Sequence, residues 1–230
     1  VKSMITVDSL KKYAGNRLIL NIPKLTVNDG EKVALIGANG SGKTTLLRIL
    51  AGTLKADEGS VIFTGADTSS YYMPQQSCGF SISVYNNLFT ALPAGMYKSE
   101  KEAAVTQALK CFDLERLAKK RGSRLSGGET QRMALARLLI TPKKCLFLDE
   151  PSSAADIRGT DLIESELLGF CKKNNTTLVM ATHSPRQALN IADKVILLQG
   201  GEIAECGTPE ELIKRPHTEW GRRFMEHWKV

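Results

Sequence analysis

Long apolar runs are missing from this sequence of 230 residues. No segment approaches the roughly 18 consecutive apolar residues that a membrane-spanning helix needs, which argues against a membrane-embedded chain. The stretch VKSMITVDSL at the N-terminus also lacks the apolar centre of a secretory signal. We therefore expect a cytoplasmic protein.

Paired cysteines are missing as well. The five cysteines are odd in number, form no C-x-x-C pair and share the chain with only three histidines. This scatter argues against a disulfide framework and against a cysteine–histidine metal site. We expect reduced thiols that fill space at Cys78, Cys111, Cys145, Cys171 and Cys206.

The composition shows no extreme of charge or polarity. Hydrophobic residues make up 42% and charged residues 24%, as in ordinary globular proteins. The length favours one domain with room for a subdomain. The net charge of +7 comes from residues 98–124, with eight Lys/Arg against four Asp/Glu, and residues 214–230, with five against two. We interpret these segments as solvated surface, with contact to an anionic membrane or an acidic partner as the alternative.

Strand and helix signals alternate along most of the chain. MITVDSL, LILNIPKLTV, KVALIG and GSVIF have the patterns of strands, and a helix, KTTLLRILAG, precedes the last of these. After residue 140, CLFLDE, TTLVMATH and KVILLQ alternate with helical segments, which predicts a largely parallel sheet with helices on both faces. Residues 82–140 carry helical signals only. We predict a single domain over 1–230, with 1–81 and 141–230 as its core and 82–140 as a helical subdomain.

Local signals predict several helix starts and one turn. The capping-box spacing occurs at Ser99 with Glu102 and at Ser126 with Glu129. Ser184–Gln187 and Thr208–Glu211 combine an N-cap residue, proline at the next position and a reaching Gln or Glu. The Gly-Gly pair at 200–201 predicts a hairpin turn.

The segment GANGSGKT, residues 37–44, fits the phosphate-loop pattern G-x-x-x-x-G-K-[ST] between an apolar strand and a helix. Its glycines allow backbone N–H groups to turn towards phosphate oxygens, and the helix N-terminus adds partial positive charge. Lys43 is expected to reach the β- and γ-phosphates, and the Thr44 hydroxyl to bind Mg²⁺. The alternative is a tight turn with an exposed lysine. The candidate nucleotide-binding residues are Gly37, Ala38, Asn39, Gly40, Ser41, Gly42, Lys43, Thr44 and Thr45.

Two acids end the apolar strand CLFLDE. Ligands bind at the carboxyl ends of strands in open α/β sheets, so Asp149 is well placed to hold Mg²⁺, directly or through water. Glu150 would point elsewhere and could polarise an attacking water. Alone, such a pair is more often plain solvent-exposed charge. His183, Gln75 and Tyr13 are individually weak signals: a strand-end histidine, a loop amide and a surface aromatic.

Five segments carry a resemblance when they are taken together: GANGSGKT, MPQQ, LSGGE, CLFLDEPSSAAD and ATH. In this order and at these separations the chain resembles the nucleotide-binding subunit of an ABC transporter, from Tyr13 to the helix that begins TPEELIKRP. The resemblance implies an α/β P-loop NTPase fold with a mainly parallel sheet, an N-terminal antiparallel β subdomain and an inserted helical subdomain. It also implies ATP and Mg²⁺ as the bound nucleotide and metal.

The resemblance assigns LSGGE to a second nucleotide. Ser126, Gly127 and Gly128 would close over the γ-phosphate of ATP held by another subunit, so that two subunits enclose two ATP molecules. Small residues before a capped helix N-terminus allow an anion to approach closely.

Further roles follow from the resemblance residue by residue. Tyr13 would stack on adenine, and Gln75, with adjacent Gln76 as the alternative, would sense Mg²⁺ and the attacking water. Glu150 would be the general base, and His183 would contact the γ-phosphate. In the loop after the catalytic acid, Asp156 would communicate across the dimer interface.

Two positions depart from the family pattern. Glu129 stands where glutamine is usual, and Ala155 where leucine is usual. Neither change removes a group that hydrolysis needs. Glu129 adds negative charge near the second nucleotide, and Ala155 would loosen packing at the dimer interface.

The resemblance implies an ATPase subunit on the cytoplasmic face of a membrane. Its partners would be a second copy, separate transmembrane permease subunits and a solute-binding protein, with no nucleic acid. The tail ECGTPEELIKRPHTEW resembles that of bacterial importer subunits. The helical region with SVYNNL resembles that of subunits serving oxyanions such as tungstate, molybdate or phosphate, while amino acids and metal ions stay open as cargo. The main alternative is a soluble ATPase of iron–sulfur cluster assembly. DNA-repair and translation ATPases are disfavoured because the chain has no long coiled coil and only one cassette, and a small-molecule kinase does not explain LSGGE.

Overall fold

A computed structural model describes residues 2–65 and 67–226. The chain divides into two compact units. The first comprises residues 2–72, 144–150 and 171–226, and the second 73–143 and 151–170. The end of the predicted domain, residues 227–230, lies outside the described residues. The single-domain organisation and its boundaries stay predictions.

Three strands come first, and strands and helices alternate one by one from residue 127 to residue 199. The nine strands within the described residues are β1 (Ser3–Ala14), β2 (Arg17–Asn28), β3 (Lys32–Ile36), β4 (Glu58–Phe63), β5 (Ser70–Met73), β6 (Cys145–Asp149), β7 (Thr177–Ala181), β8 (Lys194–Gln199) and β9 (Glu202–Gly207). The eight helices there are α1 (Lys43–Leu50), α2 (Val84–Phe89), α3 (Lys98–Cys111), α4 (Gly127–Leu139), α5 (Ile157–Asn174), α6 (Pro185–Ile191), α7 (Pro209–Lys214) and α8 (Glu219–Glu226).

The first unit contains an antiparallel sheet and a mainly parallel one. The antiparallel sheet has the order β2-β1-β4, and its long β1–β2 pair runs from Ser3 opposite Asn28 to Ala14 opposite Arg17. The second sheet has the order β5-β6-β7-β3-β8-β9; β6, β7, β3 and β8 are parallel, and β9 is antiparallel to β8. These sheets confirm the predicted fold class.

A single apolar cluster links these elements inside the first unit. Every residue of β6 and β7 is buried, which explains why both strands are apolar along their whole length. Charged groups can therefore lie only where these strands end. The cluster comprises Met4, Ile5, Val7, Leu10, Leu20, Ile22, Leu25, Val27, Val33, Leu35, Leu46, Leu47, Ile49, Leu50, Cys145, Phe147, Val179, Ala181, Ile196 and Leu198.

Three of the four predicted helix caps are confirmed, at Ser126, Ser184 and Thr208. The prediction for Ser99 and Glu102 is wrong, because α3 begins at Lys98, two residues earlier than predicted, and Tyr97 is its N-cap. The Tyr97 N–H donates to the Glu100 carboxylate at 3.2 Å. Ser99 therefore lies inside the first turn of the helix.

The predicted Gly-Gly hairpin is confirmed. Gln199 pairs with Glu202, and Gly200 and Gly201 adopt φ of 55° and 89°. A two-residue turn that requires positive φ at both positions favours glycine. The Gly201 N–H donates to the Ser41 carbonyl at 3.0 Å, so this turn also supports the phosphate loop.

All five cysteines are free, as expected. Cys145 and Cys171 are buried, and burial raises their pKa to about 12 and about 11. The space-filling role is wrong for Cys78 and Cys206, which are exposed. Among the helices of the described residues, none has both the length and the apolar character needed to span a bilayer.

Candidate functional site

The phosphate loop joins β3 to α1 through three glycines with positive φ. Gly37, Gly40 and Gly42 have φ of 147°, 77° and 103°, and Gly42 is the N-cap of α1. A Cβ on Gly37 would overlap the Leu198 carbonyl oxygen, so the loop needs glycine there for space as well as for conformation. Ala38, Asn39 and Gly40 are exposed at the loop, while Ser41 is buried and Thr45 half-buried.

The Lys43 side chain folds back across this loop. Its Nζ donates to the carbonyls of Gly37 at 2.8 Å and Ala38 at 3.0 Å. The residue is only 6% exposed, and burial lowers its pKa, against the opposing charges of Glu150 and Asp149. The structure thus brings the predicted cation and both predicted acids into one electrostatic group.

The loop fits an anionic ligand. The Ser41 hydroxyl oxygen is buried and has no hydrogen-bond partner among the described residues. Ser41 lies in the turn of Gly37–Gly42, directly before the N-cap of α1, and the Gly37 carbonyl of the same turn accepts from Lys43. A phosphate oxygen would satisfy both the helix N-terminus and such a hydroxyl.

Thr44 and Asp149 form the predicted metal-binding pair. The exposed Thr44 hydroxyl hydrogen-bonds to the Asp149 carboxylate, which is 2% exposed at the end of β6. Burial raises the pKa of Asp149, opposed by that hydrogen bond and by the charges of Lys43 and His183. A hydroxyl and a carboxylate are oxygen ligands of the kind Mg²⁺ prefers. No group of three or more His, Cys, Asp or Glu that could hold a metal is found in residues 2–65 and 67–226, so nucleotide and water oxygens would complete the coordination.

Glu150 and His183 meet at the ends of β6 and β7. Nε2 of His183 is in hydrogen-bond contact with Oε1 of Glu150. Glu150 has a φ of 52°, uncommon for a residue with a side chain, and its N–H donates to the Ala181 carbonyl at 2.9 Å. Backbone in this region is found most often where function requires a particular side-chain direction.

Tyr13 lies near the end of β1. Two acids hold it in place: Glu58, the first residue of β4, and Asp57, which precedes β4. Its hydroxyl donates to Oε1 of Glu58 at 3.2 Å, and its N–H donates to Asp57 at 2.7 Å. The sequence reasoning did not identify either acid. Neither is close to Tyr13 in the sequence, and only the pairing of β1 with β4 brings them together.

The second unit contains Gln75, Gln76 and the LSGGE segment. Both glutamines are exposed in the loop after β5. Exposure therefore does not decide which of the two is the predicted sensor residue. The Ser126 hydroxyl accepts from Glu129 N–H at 3.3 Å, and the Glu129 carboxylate accepts from Ser126 N–H at 2.8 Å. Lys120 Nζ lies 3.1 Å from the same carboxylate.

The unusual acid at position 129 is held in its ionised form. The hydrogen bond from Ser126 N–H, together with Lys120, lowers the pKa of Glu129. The negative charge of Glu129, in the LSGGE segment, is therefore paired with the nearby cation Lys120. The sequence did not reveal this ion pair, because the two residues lie on either side of a short turn.

Helix α4, which begins within LSGGE, contacts the loop that follows Glu150, and both belong to the second unit. A Cβ on Gly128 would lie 3.0 Å from the Ala154 carbonyl oxygen, and one on Gly127 3.4 Å from the Ala154 methyl. Gln131, which is 2% exposed, accepts from Ala154 N–H at 3.0 Å and donates to the Ser153 hydroxyl at 3.4 Å. Sequence reasoning missed Gln131, although its polar type on a buried helix position was the available signal.

Asp156 has a local structural role in addition to any role at an interface. Its carboxylate accepts from Gly159 N–H at 2.7 Å, and its carbonyl accepts from Thr160 N–H at 2.8 Å. These bonds cap the start of α5. Neighbouring Ile157 is 76% exposed, so the apolar surface at this helix start is open to a partner.

Comparison with known proteins gives a consistent result. The family model described as ABC transporter matches residues 20–153. The chain is 36% identical to the sulfate/thiosulfate import ATP-binding protein CysA of Bacillus cereus, over 96% of this chain and 66% of that protein. It is 32% identical to the spermidine/putrescine import ATP-binding protein PotA of Haemophilus influenzae, over 97% of this chain and 63% of that protein. The chain therefore spans slightly less than two thirds of the length of these relatives.

Solved structures are similar over most of the chain. The post-hydrolysis dimer of the ATP-binding cassette MJ0796, bound to ADP and Pi, matches with a TM-score of 0.79 and 26% identity, over 90% of this chain and 99% of that one. A bacterial Atm1-family ABC exporter with ATP bound matches with a TM-score of 0.83 and 26% identity, over 100% of this chain and 42% of that one.

Proposed function

The chain belongs to the ABC transporter family as an ATP-hydrolysing cassette, and on this premise we propose that it powers solute import through separate transmembrane subunits. The observation that carries the proposal is the grouping of Lys43, Thr44, Asp149, Glu150 and His183 around one phosphate loop. Phosphoryl transfer requires mainly positioning and charge stabilisation, and this group supplies both.

In the proposed mechanism, the backbone N–H groups of the loop and Lys43 bind the β- and γ-phosphates. Thr44 and Asp149 would hold Mg²⁺, and the family resemblance adds Gln75 or Gln76 as its sensor. Bound Mg²⁺ would neutralise charge on the phosphates. Glu150 orients and deprotonates the attacking water, a role worth roughly 10²- to 10⁴-fold in rate. His183, already in contact with Glu150, keeps that carboxylate in position and contacts the γ-phosphate.

The second copy completes the site. We assign Ser126, Gly127 and Gly128 to the γ-phosphate bound by a partner subunit, so two ATP molecules lie between two cassettes. Two features support this assignment: the capped helix start at Ser126, and the dimeric state of the similar MJ0796 cassette with ADP and Pi. The segment Ala154–Ile157 follows Glu150 and contacts this helix start, so it is the proposed route between the two sites.

The proposed cargo is a small oxyanion, in the class of tungstate, molybdate or phosphate. The sulfate/thiosulfate relative supports an oxyanion, whereas the polyamine relative has the opposite cargo charge. The partners would be permease subunits and a solute-binding protein, and the location the cytoplasmic face of the membrane.

Co-purification from the native host tests the transport proposal. The tagged chain is recovered from gently solubilised membranes, with and without ATP, and its stoichiometric companions are identified by mass spectrometry. Glu150→Gln serves as the matched variant, because arrested turnover should enrich the ATP-bound complex. A multi-span membrane protein is the expected companion, whereas soluble scaffold proteins alone would favour cofactor assembly.

Binding measurements on the co-purified solute-binding protein then test the cargo. Titration with sulfate, molybdate, tungstate and phosphate is compared with titration with spermidine. Oxyanion binding is expected. Binding of spermidine alone would overturn the oxyanion assignment while leaving the import function intact.

A further inference from the structure

We propose that Glu58 is a positioning residue for the nucleotide base, because its carboxylate holds the hydroxyl of Tyr13. The Tyr13 hydroxyl donates to Oε1 of Glu58 at 3.2 Å. This inference rests on the proposed function, in which Tyr13 stacks on adenine. It adds a residue that acts through Tyr13 and does not itself touch the base.

An irregularity in strand pairing brings Glu58 to this position. Between the pairs Asp8–Ser60 and Lys11–Glu58, β1 contains one residue more than β4, which is the pattern of a β-bulge. Ser9 in the bulge has a φ of 51°, and a Cβ on Gly59 would overlap the carbonyl oxygens of Ser9 and Asp8. The bulge therefore requires Gly59, and it sets the register that places Glu58 beside Lys11.

The register also determines which side chains share a face. Successive side chains of a strand alternate, so Lys11 and Tyr13 point to the same side of β1. Both reach the same carboxylate: Tyr13 bonds to Oε1, and Nζ of Lys11 lies 2.8 Å from Oε2. The hydrogen bonds from Lys11 and Tyr13 lower the pKa of Glu58, so the acceptor stays ionised.

Tyr13 is held at its backbone as well. Its N–H donates to the Asp57 carboxylate at 2.7 Å. The same carboxylate forms a salt bridge with Nζ of Lys12 at 2.9 Å. Two acids of one segment thus fix the backbone and the phenol end of the same residue. A side chain held in this way keeps its ring in one orientation.

The fixed ring lies on the hairpin that reaches the phosphate loop. Tyr13 pairs with Leu18, and the pairing skips Ile19 on β2. The Ile19 carbonyl oxygen would lie 3.6 Å from a Cβ on Gly42, the N-cap residue of α1. The hairpin end is therefore continuous with the site of the phosphates, as a residue that contacts the base must be.

Pre-ordering the ring should improve nucleotide affinity. Immobilising a side chain on binding has an entropic cost that corresponds to roughly a two- to tenfold loss of affinity. If Glu58 has already ordered Tyr13, this loss does not occur when the base binds. Removing the hydrogen bond should therefore raise KM for ATP by about that factor, with kcat unchanged.

The experiment compares a ligand that has a base with one that lacks it. Inhibition constants of ADP and of inorganic tripolyphosphate are measured on the full chain for wild type, Glu58→Ala, Glu58→Gln and Tyr13→Phe. Glu58→Ala and Tyr13→Phe should each weaken ADP roughly two- to tenfold and leave tripolyphosphate unchanged. Glu58→Gln keeps an acceptor oxygen and should partly rescue ADP binding. Lys11→Met, the matched control, removes the ion pair but keeps the hydroxyl acceptor, and should have a smaller effect than Glu58→Ala.

Three outcomes would overturn the inference, and they can be told apart. Equal weakening of ADP and tripolyphosphate by Glu58→Ala would mean that Glu58 acts on the fold. Unchanged ADP binding in Glu58→Ala and Tyr13→Phe, with weaker binding in Tyr13→Ala, would remove the positioning role and keep base stacking. Unchanged ADP binding in Tyr13→Ala would remove the proposed role of Tyr13 itself. A double variant, Glu58→Ala with Tyr13→Phe, that binds ADP no more weakly than either single variant would support the coupling between the two residues.

Discussion

The imidazole of His183 is in hydrogen-bond contact with the carboxylate of Glu150, through Nε2 and Oε1. The two residues follow neighbouring parallel strands, in which Asp149 pairs with Ala181. Glu150 reaches this contact only because its backbone has a φ of 52°. A side chain that could move freely would be a poor general base, and here both its backbone and its carboxylate are held.

Glu150→Gln should bind ATP normally and lose turnover by roughly 10²- to 10⁴-fold, because an amide cannot accept the proton from water. The arrested protein should accumulate as an ATP-bound dimer in size-exclusion chromatography with light scattering. Wild type with a non-hydrolysable ATP analogue is the control. A mutant that stays monomeric at saturating ATP while wild type dimerises would contradict this mechanism. Turnover at the wild-type rate would contradict it as well.

Asp149→Asn should stabilise the protein while abolishing Mg²⁺-dependent hydrolysis. Burial raises the pKa of Asp149, so the fold disfavours the ionised form, and a neutral isostere removes that penalty. The gain expected is roughly 0.5–2 kcal/mol in the free energy of unfolding, measured by urea denaturation at pH 7. A less stable variant would mean that the attraction to Lys43 outweighs desolvation.

Gly37→Ala should be more damaging than Gly40→Ala. Both positions have positive φ, which costs about 1–2 kcal/mol for a residue with a side chain. Only Gly37 also faces backbone, because its Cβ would overlap the Leu198 carbonyl, whereas Gly40 has open space. Thermal unfolding of both variants measures the steric part, expected at about 1–3 kcal/mol. Equal losses would indicate that the loop relaxes around the added methyl.

Glu129→Gln should reduce stability at neutral pH and have little effect in acid. Because the folded state lowers the pKa of Glu129 below the ordinary value of a glutamate, its contribution to stability is present above that ordinary pKa. The contribution is lost as the pH falls through the lowered pKa of the folded state. The expected loss is about 0.5–1 kcal/mol, since glutamine can still complete the capping box. Denaturation at pH 7 and pH 3.5 measures the difference between the two proteins. A gap that is independent of pH would exclude the charge as its cause.

Gln131→Leu should destabilise the loop after Glu150, because it leaves the Ala154 N–H without its acceptor. An unsatisfied buried donor costs about 1–3 kcal/mol. Turnover should also fall, since that loop follows Glu150, the proposed general base, while KM for ATP should change little. Thr130→Ala, one residue earlier, is the control for effects on the helix itself. Normal stability in Gln131→Leu would show that water or another group replaces the amide.

The sequence predicted what local rules determine. The phosphate loop, the Gly200–Gly201 turn and the caps at Ser126, Ser184 and Thr208 all depend on residues within a few positions of each other. Tyr97 was missed because tyrosine is a poor N-cap residue, yet the Glu100 carboxylate reaches its N–H and the helix starts there.

Contacts that depend on strand register could not be predicted. Glu58 reaches Tyr13 only through a bulge at Ser9, and nothing in the strand alternation indicates where an extra residue is accommodated. Gln131 in α4 reaches Ala154 in a loop 23 residues away, and no local pattern indicates that contact either. Pattern reasoning named the groups to which we assign the chemistry, and missed the polar neighbours that contact them.

The two carbonyl acceptors of Lys43 imply a selection rule for anions. Its ammonium group is already satisfied by Gly37 and Ala38, so an incoming ligand must replace neutral acceptors with better ones. A monovalent ion brings too little charge and too few oxygens for that exchange, whereas a polyphosphate brings several at once. The lysine would then favour ligands that carry several phosphate oxygens, such as ADP and ATP, over abundant small anions.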